Sequence, residues 1–267
     1  MSMDMLLVPD ETTEEWAAEG FPATSLRSER EVSDAFEHMG ARRHATVWIV
    51  DDASQLISLA ERSDLLRSNH RLLLLNEATG AQKDLLHLLF RVVVAPGDGV
   101  NLLPVEELRE VLASDARADL FVGGVIDRKA EVVALYRGNL APVVVPFAWF
   151  LRRNPTPKPN FRDFAVADYG QTVRFGRYEA SADAVLYAHD RDYRRRAKER
   201  RLQQDDSLGA CLQRLRLAKG LSRRDFPGVS EKQVARIERG EVTKVRTGTL
   251  AALAKRLDVD PAEITSY

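Results

Sequence analysis

Residues 207–267 constrain the fold more tightly than any other stretch, because helix spacing, caps and breakers agree there. Leu208, Cys211, Leu212 and Leu215 recur at i, i+3, i+4 and i+7, one buried face of a helix running from Ser207 to about Lys219. Gly220 closes that helix, and Ser222 stands where it would cap a very short second one, Ser222 to Phe226. A turn at Pro227-Gly228-Val229 leads to Ser230, the expected cap of a third helix, Glu231 to Arg239, which Gly240 ends. In it Val234 and Ile237 share the inner face, so Glu231, Lys232, Gln233 and Arg236 point outward. Leu250, Leu253, Ala254 and Leu257 define a fourth helix. Asp260-Pro261 opens a fifth, with proline at the first helical position, where its missing N–H costs nothing.

Three runs carry a resemblance: L-G-A-C-L-Q-R-L-R-L-A-K-G-L-S, then G-V-S-E-K-Q-V-A-R-I-E-R-G-E, then T-L-A-A-L-A-K-R-L-D-V-D-P-A-E-I. Together they resemble the Cro/phage-repressor helix-turn-helix family, often called Xre. The resemblance implies that the helix after the turn enters the major groove of double-stranded DNA while the two before it position it on the backbone. One departure is visible. The second helix is about three residues shorter than the family pattern, with Phe226-Pro227 where another helical turn would stand. A plain helical bundle would not need this run of outward basic side chains.

Site residues follow from that phase. Lys232, Gln233 and Arg236 are expected to face base edges, with Glu231 available to cytosine amino groups. Arg223, Arg224, Lys244, Arg246 and the arginines Arg194, Arg195 and Arg196 are expected on phosphates, with Arg239 on the same surface. Ser222 and Ser230, as caps, would leave helix-start N–H groups for an anion.

The net charge of −1 hides an uneven distribution. Residues 190–267 hold 19 Lys and Arg against 12 Asp and Glu, a net of +7, and residues 1–189 hold 20 against 28, a net of −8. A basic end and an acidic front fit a nucleic-acid module on a separate body. The single cysteine, Cys211, lies on an apolar helical face and reads as a small core residue. One cysteine excludes internal disulfides and thiolate zinc clusters and fits a cytoplasmic protein. No apolar run has the length of a membrane span, and the acidic start lacks the features of a signal peptide.

The front third is less informative. Asp10 to Met39 reads as short acidic helical segments. From Ala45 an alternation begins: strands at Thr46–Val50, Leu72–Leu75 and Arg91–Ala95, and helices at Ala53–Arg67, Ala81–Leu89 and Val105–Leu112. Strand and helix in turn predict an α/β layer with parallel pairing. Val47-Trp48-Ile49-Val50-Asp51-Asp52 resembles the opening of a response-regulator receiver, but the Val92–Val94 strand offers no phosphoacceptor. Asp51 and Asp52 then read as a helix cap and its neighbour. Gly123-Gly124 falls inside a strand pattern, where a bulge accounts for it better than a nucleotide loop.

From Asp119 the chain becomes β-rich. Leu120–Ile126, Val132–Tyr136 and Pro142–Phe147 form a meander with tight turns, Phe164–Ala167 and Thr172–Tyr178 are extended, and Ala182–Tyr187 is helical. V-V-A-L-Y-R-G-N-L-A-P-V-V-V-P-F-A-W-F, a proline loop and F-A-V-A-D-Y-G-Q-T-V-R-F resemble a small bacterial domain-of-unknown-function family (number 2442), which implies no activity. Trp149 and Phe150 read as rings buried against the sheet rather than as base-stacking platforms. Asp190 to Arg201 is a basic helical linker whose pairs Asp192–Arg196 and Arg195–Glu199 leave five of its seven cations unbalanced. It reads either as a linker that also touches phosphates or as a solvated connector.

The expected architecture is therefore multidomain: an acidic α/β N-terminal layer (1–117), a β-rich middle domain (118–189), the basic linker (190–206) and an all-α helix-turn-helix C-terminal domain (207–267). The five histidines, His38, His44, His70, His87 and His189, show no metal-ligand spacing, and no serine sits in a nucleophile elbow, so neither enzyme activity nor a cofactor or metal is expected. The function expected is a DNA-binding transcriptional regulator or repressor acting as a homodimer on a pseudo-palindromic operator. One alternative is an antitoxin that neutralises a protein partner through its acidic N-terminal region. Another is a ligand-responsive switch. Residues 1–189 are expected to hold the dimer and 207–267 to be monomeric alone.

Overall fold

In the computed structural model, residues 5–40, 45–57, 68–152, 154–242 and 244–265 are described. The chain divides into two compact units, Met1–Asp190 and Arg191–Tyr267.

The first unit opens on a parallel sheet. In chain order its elements are β1 (Met5–Val8), α1 (Glu11–Ala18), β2 (Thr24–Ser25), α2 (Glu29–Gly40), β3 (Val47–Val50), β4 (Arg71–Leu74), α3 (Gly80–Leu89) and β5 (Val92–Val94). The strands lie in the order β2-β1-β3-β4-β5, all parallel, a doubly wound order. β3 is fully buried along its whole length, as a central strand covered on both faces must be. Leu6, Trp48, Leu72, Phe90 and Phe36 join in the core of this layer.

This corrects the expected start of the layer. Thr46–Val50 contains its third strand in the chain, and β1 and β2 lie inside the stretch read as helical segments or ahead of it. Of the helix expected at Ala53–Arg67, a single 3₁₀ turn, Ala53–Leu56, is described, and residues 58–67 lie outside the described residues. The acidic pair is also divided. Asp52 caps that turn, accepting from Ser54 N at 2.7 Å. Asp51 instead reaches across to α1, where its Oδ2 accepts from Thr12 N (2.9 Å) and Thr13 N (3.2 Å). Its charge meets the positive end of the α1 dipole. Burial pushes the Asp51 carboxyl above its ordinary value, against the pull of the Thr13 and Thr12 bonds.

Beyond β5 come β6 (Val100–Leu102), α4 (Val105–Ala113), β7 (Phe121–Asp127), β8 (Val132–Arg137) and β9 (Pro142–Pro146), and the four strands form an antiparallel sheet in chain order. The register of β7 on β8 shifts between Phe121 and Gly123, the expected bulge. Glycine is required there by space. A Cβ at Gly123 would lie 2.4 Å from Asn101 O, and one at Gly124 would lie 2.7 Å from Ala134 O. A one-turn helix, α5 (Phe147–Phe150), leads to a second antiparallel sheet of β10 (Phe164–Ala167), β11 (Thr172–Phe175) and β12 (Tyr178–Ser181). The stretch expected to run extended from Thr172 to Tyr178 is thus a hairpin, turned at Gly176 with φ +63. Phe150 is buried against Phe175 (ring centroids 4.7 Å apart), while Trp149 packs on Phe150 and His189 and is half-buried. The unit ends with α6 (Ala182–His189).

The second unit is helical: α7 (Arg191–Gln204), α8 (Leu208–Ala218), α9 (Glu231–Glu238), α10 (Thr247–Leu257) and a 3₁₀ turn, Glu263–Thr265. Leu212, Leu215, Val234, Ile237, Leu253 and Leu257 pack in its core. The architecture is an α/β layer, an antiparallel β-rich region and an all-helical C-terminal unit. No helix among the described residues is long and apolar enough to cross a membrane.

Candidate nucleic-acid interface

α8 and α9 are each stopped by the same device. Gly220 takes φ +65 after α8, and the N–H groups of Gly220 and Leu221 return to Leu217 O (3.0 Å) and Arg216 O (3.0 Å). Gly240 takes φ +70 after α9, with Gly240 and Glu241 returning to Ile237 O (2.9 Å) and Arg236 O (3.0 Å). These are paired Schellman closures, which need a left-handed residue that glycine supplies without strain. At its start α9 is capped by Ser230, whose Oγ accepts from Gln233 N at 3.2 Å.

No helix lies between them. The helix expected at Ser222–Phe226 is a turn, in which Ser222 N donates to Asp225 Oδ2 (2.6 Å) and Arg224 N to Ser222 Oγ (3.3 Å). Pro227 lacks a donor and disfavours helical backbone at Phe226, so the stretch after Gly220 is too short to wind. The anion site expected at the Ser222 helix start is therefore not formed. Phe226 and Val229 enter the core in place of a helix face, and Arg256 Nε holds the turn through Asp225 O at 2.8 Å. The fifth helix expected after Pro261 is likewise reduced to the turn at Glu263–Thr265, with Ile264 buried.

A buried charge cluster fixes α9 against α8. The Glu238 carboxylate accepts from Arg216 Nε (2.6 Å) and Nη2 (3.2 Å) and from Arg223 Nε (2.7 Å). Arg216 Nη1 also donates to Leu221 O at 2.9 Å. Close approach is allowed by Gly209, where a Cβ would stand 2.3 Å from Ile237 O. Another arginine joins α7 to α8: Arg214 Nη1 donates to Leu202 O (2.5 Å) and Asp205 O (2.6 Å), and Nη2 to the buried Cys211 Sγ (3.1 Å). Cys211 is thus the core residue expected, within a helix junction held by hydrogen bonds.

Val234 and Ile237 are buried while Glu231, Lys232, Gln233, Arg236 and Arg239 are exposed, so the outward face of α9 gathers the expected base-facing side chains. Three of these make local pairs. Arg224 Nε bonds Glu231 Oε2 at 2.9 Å, and Glu241 accepts Arg239 Nε at 2.6 Å with Arg236 Nε at 3.4 Å. Arg239 first, then Arg236, hold the Glu241 carboxyl below its ordinary value. Lys244 and Arg246 are both exposed ahead of α10. Arg223 sits apart from the expected set, because its Nε is engaged with Glu238. On α7, Arg195 pairs with Asp192 at 3.4 Å, and Arg196 and Arg200 lie over the Tyr193 ring at 5.8 and 5.5 Å. The roles of Arg216, Arg214 and Gly209 are not legible in the sequence. Spacing places these residues on a helix but does not say which partner from another element reaches them.

A capped helix presenting polar side chains after a short, core-anchored turn defines a helix-turn-helix DNA-binding domain. Residues 207–266 match the family described as a helix-turn-helix domain. No curated protein and no solved structure matches the chain. The matched domain points to DNA as the partner of this unit and to transcription regulation as its role.

Proposed function

We propose that this protein is a sequence-specific transcriptional regulator of the Xre kind, a repressor in the cytoplasm, binding a pseudo-palindromic operator as a homodimer and catalysing no reaction. The observation that carries the reading is the exposed row Glu231, Lys232, Gln233 and Arg236 on a helix capped at both ends and locked through Glu238. Arg236 reads a base edge, and its exposed pairing with Glu241 is weak enough to exchange for one. Genome-wide mapping of bound DNA, repeated with Arg236→Ala, tests this. The wild type should yield one palindromic motif. The variant should lose about 1–3 kcal/mol of discrimination at a single position of each half-site. Uniform weakening with an unchanged motif would show that Arg236 touches phosphate only.

A second reading, control of DNA binding by a small ligand, is favoured by a crevice of about 290 Å³ at the carboxyl ends of β1, β2 and β3. Pro9, Leu26, Arg27, Ser28, Ser54 and Gln55 line it. Open parallel sheets bind ligands at this end. A metabolite that raises the melting temperature and also changes operator affinity would support this reading. One that does the first without the second would refute it.

A further inference from the structure

At the opposite, amino end of the same parallel sheet, three arginines converge with little to balance them. Arg71 opens β4, and Arg91 stands just ahead of β5, its N–H on His70 O at 2.9 Å, so the two arginines sit at neighbouring strand starts. Arg137 ends β8, and the turn that follows carries Asn139, whose carbonyl accepts Arg71 Nη1 at 2.5 Å. That turn is tightly seated: Gly138 N donates to Arg117 O (2.9 Å) and Leu120 O (3.0 Å), and a Cβ at Gly138 would meet Arg117 O at 2.7 Å. Two neighbouring strand starts and a fixed turn therefore place the three arginines at one end of the sheet.

The charge does not balance. Arg137 Nη2 pairs with Asp190 Oδ2, and the Arg137 side chain is 11% exposed. Arg137 Nε is buried and has no hydrogen-bond partner among the described residues. Arg71 is half-buried with a neutral carbonyl as its acceptor, and the Arg91 side chain is exposed, with no ion pair among the described residues. Burial, then the charges of Arg91 and Arg137, lower the Arg71 pKa from its ordinary value. Clustered like charges in partly desolvated surroundings are unfavourable unless an anion joins them.

We propose that Arg71, Arg91 and Arg137 form a binding site for a small multivalent oxyanion of the phosphate class, with Arg71 and Arg91 donating N–H groups and Arg137 supplying field. Guanidinium forks match tetrahedral and carboxylate oxygens in pairs, and a doubly charged ion offsets the excess that Asp190 leaves. The near-burial of Arg137 favours a small ion over a duplex backbone. The site lies within the first unit and stands or falls independently of the DNA-binding reading.

The test is calorimetric titration of the full-length protein with inorganic phosphate at constant ionic strength, with malonate and a nucleoside monophosphate as parallel arms. Saturable binding of one phosphate per chain is expected. Arg91→Gln, at an exposed position, should weaken it about tenfold, the effect of removing one charge-assisted hydrogen bond. The double variant Arg71→Gln/Arg91→Gln should abolish it, and Arg174→Gln, at an exposed position on β11, should leave it unchanged. Tighter binding of the nucleotide than of phosphate would assign the source to a nucleotide, and tighter malonate binding would shift the class to dicarboxylates and overturn the phosphate assignment. Absence of saturable phosphate binding, or equal affinity in a folded Arg91→Gln, overturns the site. So does an Arg91→Gln protein that keeps phosphate binding but shows a flatter salt dependence of DNA affinity, which would place the cluster on DNA.

Discussion

Glu238 holds the geometry of the second unit, since one carboxylate accepts from both Arg216 on α8 and Arg223 in the turn. Removing one partner of a buried pair leaves the other charged and desolvated, at a cost of about 3–5 kcal/mol. Glu238→Ala should therefore lower the melting transition of the second unit while leaving that of the first unchanged, a separation that calorimetry resolves. A single unshifted transition would mean that Arg216 finds other acceptors. His70 offers a contrasting case in the first unit. It is buried among Phe36 and Trp48, and neither ring nitrogen has a partner among the described residues. Burial lowers its pKa from the ordinary 6.5, so the unfolded chain binds the proton more readily. The stability tied to neutral His70 is thus complete above the unfolded pKa and declines as pH falls below it. Urea midpoints measured between about pH 7.5 and 5 should fall less in His70→Leu than in the wild type. Equal slopes would count against the buried neutral imidazole. Glu238 is visible in the sequence as part of the I-E-R-G run, but its acceptor role is not, because Arg216 and Arg223 lie 22 and 15 residues away.

Elements are legible where period and punctuation agree. α9 follows the expected span because its apolar spacing is bounded by Ser230 and Gly240, and α10 carries the four apolar residues expected of the fourth helix. β1 is hidden because four apolar residues, Met5–Val8, carry no period that separates strand from helix. β2, with two residues, has none at all. The shortened second helix is half-legible. Phe226-Pro227 shows that it could not be long, and the structure shows that core burial of Phe226 and Val229 does its work without winding. The same element-scale reasoning applies to α7. Because Arg214 ties Leu202 O and Asp205 O to α8, this helix is part of the C-terminal unit, and its arginines have a set direction relative to α9. Substituting Arg194, Arg195 and Arg196 together by Ala should flatten the plot of log affinity against log salt by about 0.9 for each phosphate no longer neutralised. An unchanged slope would remove α7 from the DNA.

At the scale of the whole molecule, specificity requires more than one recognition helix. A single module reads few base pairs against roughly 10⁶ or more competing genomic sites, and a two-fold dimer doubles the reading with half-sites about one helical turn apart. Stable pairing buries on the order of 800 Å² per partner. Three edge strands of the first unit are poorly suited to provide this by ladder extension. β9 carries Pro142 and Pro146 at its ends, β2 has two residues, and β5 has three. Side-chain packing is another route by which the body would pair, and Leu88, 60% exposed on α3, is an apolar anchor available to it. The helical unit offers less, since its apolar residues Leu212, Leu253, Leu257 and Ile264 are used in its own core. Divided between Asp190 and Arg191, the chain should yield a dimeric fragment 1–190 and a monomeric fragment 191–267 that binds the operator weakly. Sedimentation velocity of the two fragments distinguishes the arrangements. A monomeric first fragment beside a dimeric full-length protein would move the interface to the helical unit, and Leu217, 54% exposed near the end of α8, would become the side chain to examine there.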